Sequence, residues 1–145
     1  MVDKRDKRIA KILGIKELED IFDEALDVTE ETLGMYFDYL IEHIEYPCQV
    51  SGIDYFGWER YYISGPGNKN EYEELKKNQP LHTDTFNLLS FEEVDPDLGI
   101  LITVERVSDK KDFTLPLAEL KTTEKKSKNQ RLLDDYAYWF VNYTR

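Results

Sequence analysis

Cysteine and long apolar runs are scarce in this chain of 145 residues. The single cysteine, Cys48, cannot form an internal disulfide or a multi-cysteine zinc cluster, which fits a reducing compartment. No apolar run approaches the roughly 20 residues that span a bilayer. The charged N-terminal stretch also lacks the apolar core of a signal peptide. We therefore expect a soluble, cytoplasmic protein with no membrane partner.

Basic residues are also scarce relative to acidic ones. Lys and Arg number 19 against 30 Asp and Glu, which gives a formal net charge of -11. Binding to a phosphate backbone needs clustered Lys and Arg, because affinity comes from the release of condensed counterions. The composition therefore predicts no nucleic-acid partner.

The acidity is concentrated between Glu17 and Tyr46, where no Lys or Arg occurs. The carboxylates of this stretch are Glu17, Glu19, Asp20, Asp23, Glu24, Asp27, Glu30, Glu31, Asp38, Glu42 and Glu45. Such dense negative charge requires a solvated face, a basic protein partner or a bound cation to relieve its repulsion. All three explanations remain open from the pattern alone.

Apolar periodicity predicts helices in the first and last parts of the chain. We expect a frayed basic helix within residues 1–16 and an amphipathic helix over residues 16–26. A third helix should begin after Thr29 and end before Pro47, and a fourth should begin after Ser127. A short helix, EYEELKK, should be capped by Asn70.

Between these helices the sequence changes to short strands separated by Gly, Pro and Asn turns. The predicted strands are CQVSG, WERYYISG, FNLLSFEEV, GILITVERV and FTLPL. The expected fold class is α+β, with N-terminal helices packed on a small, strongly bent antiparallel sheet or barrel and closed by an aromatic C-terminal helix. We divide the chain into a basic extension, residues 1–16, and a single domain, residues 17–145.

Oxygen donors are plentiful enough for a calcium ion, which takes 6–8 oxygen ligands from carboxylates, carbonyls and water. The EF-hand loop pattern fails, so a site must combine separate segments. Asp54 and Glu59 are the most economical ligands, because the loop between them contains a glycine and can fold back on one ion. Asp38 and Glu42, on the preceding helix, could join them.

Several segments resemble the small bacterial calcium-binding proteins of the CcbP type, over residues 33–143. The segments are GMYFDYLIEHIEYPCQVSGIDYFGWERYYISGPG, EYEELKK, FNLLSFEEV, VERVSDKKDFTLPLAEL and LLDDYAYWFVNY. The resemblance implies a helix pair on an SH3-like sheet and calcium binding without an EF-hand. It also adds Asp134 and Asp135 as candidate ligands. The sequence departs from the family pattern at Arg60, where a cation replaces a carboxylate.

Enzyme chemistry finds little support. His43, Cys48 and His82 form no recognisable catalytic or zinc arrangement, and the glycines near residue 65 lack the ending of a phosphate-binding loop. We predict no catalysis. Two hypotheses remain: a cytoplasmic calcium buffer or sensor, and an acidic interaction module that docks a basic protein partner without metal.

Overall fold

The computed structural model describes residues 3–16 and 24–144. Its helices are α1 (Lys4–Ile12), α2 (Glu30–His43), α3 (Gly57–Ile63), α4 (Lys69–Leu75) and α5 (Lys128–Asn142). Its strands are β1 (Gln49–Gly52), β2 (Phe86–Asp95), β3 (Gly99–Arg106), β4 (Asp112–Pro116) and β5 (Leu120–Thr122). Single turns of 3-10 helix occupy Glu24–Leu26 and Leu117–Glu119. None of the described helices is long and apolar enough to cross a membrane.

The five strands form one open antiparallel sheet in the order β4-β3-β2-β1-β5. The strands β2, β3 and β4 follow one another as a meander. The chain then passes through a 3-10 turn, and β5 returns to pair with β1 at the far edge of the sheet. The α+β class is therefore confirmed, while the SH3-like barrel stays a prediction.

Aromatic side chains from α2 and α5 fill the core. The rings of Tyr36 and Trp139 stack at 4.7 Å, and neither side chain is exposed. The Trp139 indole donates a 2.7 Å hydrogen bond to the Leu26 carbonyl, which satisfies its polar end inside the core. The α2 and α5 predictions are confirmed, including their N-caps Thr29 and Ser127.

The basic N-terminal helix is better anchored than we predicted. Asp3 caps α1, and Ile9 and Ala10 are buried in the common core. Tyr143 also donates a 2.8 Å hydrogen bond to the buried Asp6 carboxylate. The prediction of a frayed helix is wrong, because these contacts tie α1 to the end of α5. The boundary between residues 1–16 and 17–145 stays a prediction.

Two other expectations need correction, and a third lies mostly outside the described ranges. The segment WERYYISG forms α3 rather than a strand. Two of its aromatic residues lie on one face of this helix, where Trp58 and Tyr62 both contact Tyr72 of α4. The cap of α4 is Asn68, not Asn70. Of the helix predicted over residues 16–26, residues 17–23 lie outside the described part of the chain.

The turn between β2 and β3 brings a charged loop against α5. Asp95 accepts 2.8 Å hydrogen bonds from the backbone amides of Asp97 and Leu98. Gly99 follows with φ +78, a conformation that costs side-chain-bearing residues energy. A Cβ atom there would lie 2.6 Å from the Tyr136 hydroxyl and 2.7 Å from the Phe140 ring. Only glycine fits this close approach of turn and helix.

This packing makes opposite predictions for two glycines. Gly99→Ala should destabilise the fold by roughly 2 to 5 kcal/mol, from left-handed strain and overpacking. Gly34→Ala, in α2 with nothing within 4 Å of the added Cβ, should instead stabilise it by about 0.5 to 1 kcal/mol. Urea unfolding of both variants checks this. Equal stabilities would contradict the described approach of the turn to α5.

Candidate metal centre

The acidic face of α2 is solvated in the structure. Asp38 and Glu42 are both exposed and lie one turn apart. Beyond the helix, the Glu45 carboxylate lies 3.7 Å from the Lys128 ammonium, and both side chains are more than half exposed. Exposed pairs of this kind contribute little to stability. Water therefore relieves most of the repulsion on this face.

Glu59 is buried and bonded to the backbone. Its carboxylate accepts hydrogen bonds from the Phe56 amide at 2.8 Å and the His82 amide at 3.1 Å. The His82 Nδ1 atom lies 3.1 Å from the same carboxylate. The Glu59 side chain is 1% exposed. Its oxygens join the start of α3 to the loop before β2.

Asp135 is also buried and already has cationic partners. The Arg8 guanidinium grips it with two hydrogen bonds of 2.8 and 2.9 Å, and Arg5 approaches to 3.2 Å. The neighbouring Asp134 is half-buried, and this burial raises the pKa of its carboxyl. Both carboxylates lie where α1 meets α5.

The six predicted ligands do not converge on one point. Within residues 3–16 and 24–144, no group of three or more His, Cys, Asp or Glu side chains is arranged to hold a metal ion. Asp38 and Glu42 are on α2, whereas Glu59, Asp134 and Asp135 face other elements. The six candidates therefore lie apart in the structure, and the role of each as a calcium ligand stays a prediction.

One predicted ligand, Asp54, does lie in a cavity with other carboxylates. Asp54, Asp97 and Glu119 line a cavity of about 390 Å³, which we call the carboxylate cavity. Arg60 lines it as well, and Phe140 and Val141 of α5 form part of its apolar wall. Hard carboxylate oxygens are suitable for calcium. They do not form a finished shell, so an ion would have to draw them together.

Strand pairing places these carboxylates. Asp54 follows β1, and the Ile53 amide beside it donates a 2.9 Å hydrogen bond to the carbonyl of Glu119, which precedes β5. Asp97 comes from the turn between β2 and β3, and Arg60 comes from α3. Four separate segments thus supply the charged groups of one cavity.

Exposure differs among these groups. Asp54, Asp97 and Arg60 are exposed, so their side chains can move at little cost. Glu119 is half-buried, and burial raises the pKa of its carboxyl, an effect that the Arg60 guanidinium partly offsets. A cation of the protein itself therefore compensates part of the negative charge.

Sequence reasoning did not single out Asp97 or Glu119. Asp97 lies in the turn between two predicted strands, and hydrogen bonds to Asp95 form that turn. Glu119 belongs to the LPLAEL segment, and that segment was the one available signal for it. Neither residue is near Asp54 in sequence, so only the pairing of β1 with β5 and the β2–β3 turn reveal the grouping.

Comparison with known proteins decides the family. A family profile described as calcium binding, that of CcbP, matches residues 56–140, more than half of the chain. The chain belongs to the CcbP family of calcium-binding proteins. This confirms the resemblance seen in the sequence and the prediction of Ca²⁺ as the ion.

Two solved structures share the CcbP fold. One, a calcium-binding protein in its calcium-binding form, has a TM-score of 0.58 and 16% identity, and the match covers 97% of this chain and 92% of that one. The other, CcbP from Anabaena, has a TM-score of 0.58 and 17% identity, with 100% and 97% covered. At these identities the likeness shows the fold alone. A search of curated proteins finds no match.

The bonding of Glu59 predicts a structural role that can be separated from ion binding. Glu59→Ala should destabilise the fold by roughly 2 to 4 kcal/mol, because the buried Phe56 amide and the half-buried His82 amide lose their acceptor. Asp38→Ala removes the same charge type from an exposed helix face and should change stability by no more than about 0.5 kcal/mol. Urea unfolding compares the two, and a similar small effect for both would contradict this role.

Proposed function

We propose that this chain is a non-EF-hand calcium-binding protein whose ion is held in the carboxylate cavity. The family match carries the choice of ion. The choice of place is supported by the grouping of Asp54, Asp97 and Glu119 around one cavity. We further propose a cytoplasmic buffer or sensor role.

The donor set of the cavity is suitable for calcium in kind and in number. Three carboxylates supply up to six oxygens, and a shell of 6–8 is completed by backbone carbonyls and water. Calcium accepts irregular geometry, so ligands from separate loops can close around it. Magnesium demands near-ideal octahedral geometry and keeps several waters, which favours calcium here.

The Arg60 guanidinium competes with calcium in the carboxylate cavity. In the absence of calcium, its guanidinium offsets part of the negative charge around Glu119. An arriving divalent cation is repelled by the same guanidinium, which must swing aside because it lines the cavity. Arg60 is exposed, so this movement is sterically easy. The residue therefore lowers calcium affinity without blocking the site.

The second hypothesis, an acidic module for a basic protein partner, rests on the exposed face of α2 with Asp38 and Glu42. A solvated face is sufficient to explain that pattern. Among the described residues, neither Asp38 nor Glu42 makes a contact that favours a partner, so we do not propose one.

The site predicts opposite effects from removing its anions and its cation. Asp54→Asn or Glu119→Gln should weaken calcium binding on the order of tenfold or more, because affinity follows the count of charged ligands. Arg60→Gln should strengthen binding, because it removes a like charge from the cavity. Isothermal titration of chelator-stripped protein measures all three.

Matched controls come from α2. Asp38→Asn and Glu42→Gln change the same charges on an exposed face outside the cavity, and they should leave calcium affinity nearly unchanged. If these two variants lost binding while Asp54→Asn and Glu119→Gln kept it, the ion would belong to α2 and the cavity assignment would fail.

Calcium binding should also depend on pH through Glu119. Burial raises the pKa of this carboxyl above its ordinary value of 4.5, so protonated Glu119 persists to higher pH than an exposed glutamate. Because the pKa of Glu119 is raised in the fold, protonation of Glu119 stabilises the calcium-free fold at low pH. This stabilisation is lost as pH rises through the raised pKa. Calcium needs the ionised form, so affinity should fall as pH drops through that value.

Proton release provides the measurement. Titrations in two buffers of different ionisation enthalpy should show protons released on calcium binding near this pH, and Glu119→Gln should abolish most of that release. A wild-type protein that released no proton anywhere above pH 4.5 would show that Glu119 takes no part.

A further inference from the structure

A cavity of the opposite sign lies elsewhere in the described part of the chain. It lies between α1 and the start of α5 and has a volume of about 630 Å³. We call it the basic cavity, after its cationic lining residues Arg5, Arg8, Lys126, Lys128 and Arg131. The two carboxylates among the described lining residues are Asp134 and Asp135, so this wall carries a formal charge of +3. A cationic hollow is unexpected in a chain of net charge -11.

The buried Asp135 carboxylate holds two of the arginines, Arg5 and Arg8, in place. Asp135, with a side chain 3% exposed, accepts from Nε and Nη2 of Arg8 at 2.8 and 2.9 Å, and lies 3.2 Å from Nε of Arg5. These pairs leave Nη1 of Arg8 and both terminal nitrogens of Arg5 outside the bonds to Asp135. The Arg5 guanidinium also lies 4.8 Å from the Tyr138 ring centroid. Buried anchoring of this kind preorganises donors for a ligand.

The opposite wall consists of cations that are weakly compensated. Lys128 lies 3.7 Å from the exposed Glu45 carboxylate, a contact that is largely screened by solvent. Lys126 and Arg131 are exposed and take part in no ion pair with another described residue. Repulsion among the five cations is relieved when an anion enters between them.

We propose that the basic cavity binds a small phosphorylated molecule. Arginine forks suit phosphate oxygens because they donate two parallel hydrogen bonds, and lysine ammonium groups add point charges beside them. A cavity of this size lies within the usual range for small-molecule sites, about 300 to 1,000 Å³. The inference is independent of the calcium proposal, because the two cavities share no lining residue.

Pyrophosphate is the probe for this site. Isothermal titration of the full chain at constant ionic strength should show saturable binding, and Lys126→Gln/Arg131→Gln should weaken it at least tenfold. The control Lys69→Gln/Lys77→Gln removes the same number of charges from exposed positions outside the cavity and should bind like wild type. Thermal unfolding without pyrophosphate confirms that both double variants fold.

The phosphate could be carried by a soluble molecule or by a lipid headgroup, and a second arm separates these sources. Flotation with vesicles of phosphatidylcholine containing phosphatidic acid tests the lipid. No vesicle binding together with pyrophosphate binding identifies a soluble ligand, and vesicle binding that pyrophosphate competes away identifies the headgroup. Absence of both kinds of binding, or equal pyrophosphate affinity in wild type and the Lys126/Arg131 variant, would overturn the proposal.

Discussion

The pairing of β1 with β5 is the constraint on which the rest of the structure depends. It joins Val50 to Thr122 and Gly52 to Leu120 across about half of the chain. The same pairing continues into the Ile53 amide and the Glu119 carbonyl, which sets two candidate ligands side by side. Gly52 makes this path possible, because a Cβ there would lie 2.6 Å from the His82 Cβ. Without this strand pair, Asp54 and Glu119 would not be held side by side in the carboxylate cavity.

The treatment of negative charge divides the molecule into regions. Exposed carboxylates on α2 are left to water, whereas buried ones are given donors: Glu59 has two backbone amides and Asp135 has two guanidiniums. This follows from the high cost of an unpaired charge away from water. The half-buried Glu119 lies between these cases, with only partial compensation by Arg60. Of these carboxylates, Glu119 is therefore the one whose charge a bound divalent cation would neutralise with the largest gain.

Local patterns were predictable and long-range groupings were not. The α2 and α5 helices followed directly from apolar periodicity and from their caps, Thr29 and Ser127. The aromatic run of α3 was misread as a strand, because alternation and helical spacing are hard to distinguish over seven residues and the packing against Tyr72 is tertiary. The family, and with it the ion, was recognised from whole segments.

The candidate site shows the same limit at the level of single residues. Asp54 and Glu59 look alike in a sequence. In the structure, however, Asp54 lines a cavity, whereas Glu59 accepts a hydrogen bond at the N-cap of α3. What separates them is the helix that begins between them. Asp97 and Glu119 could join Asp54 only through strand register, which no local pattern encodes.

A crystal structure of the chain grown with calcium tests the central claim most directly. The account predicts an ion in the carboxylate cavity, with oxygens of Asp54 and Glu119 within about 2.3 to 2.6 Å of it and the Arg60 guanidinium turned away. An ion bound instead by Asp38 and Glu42 on α2, with the cavity carboxylates left in water, would contradict it.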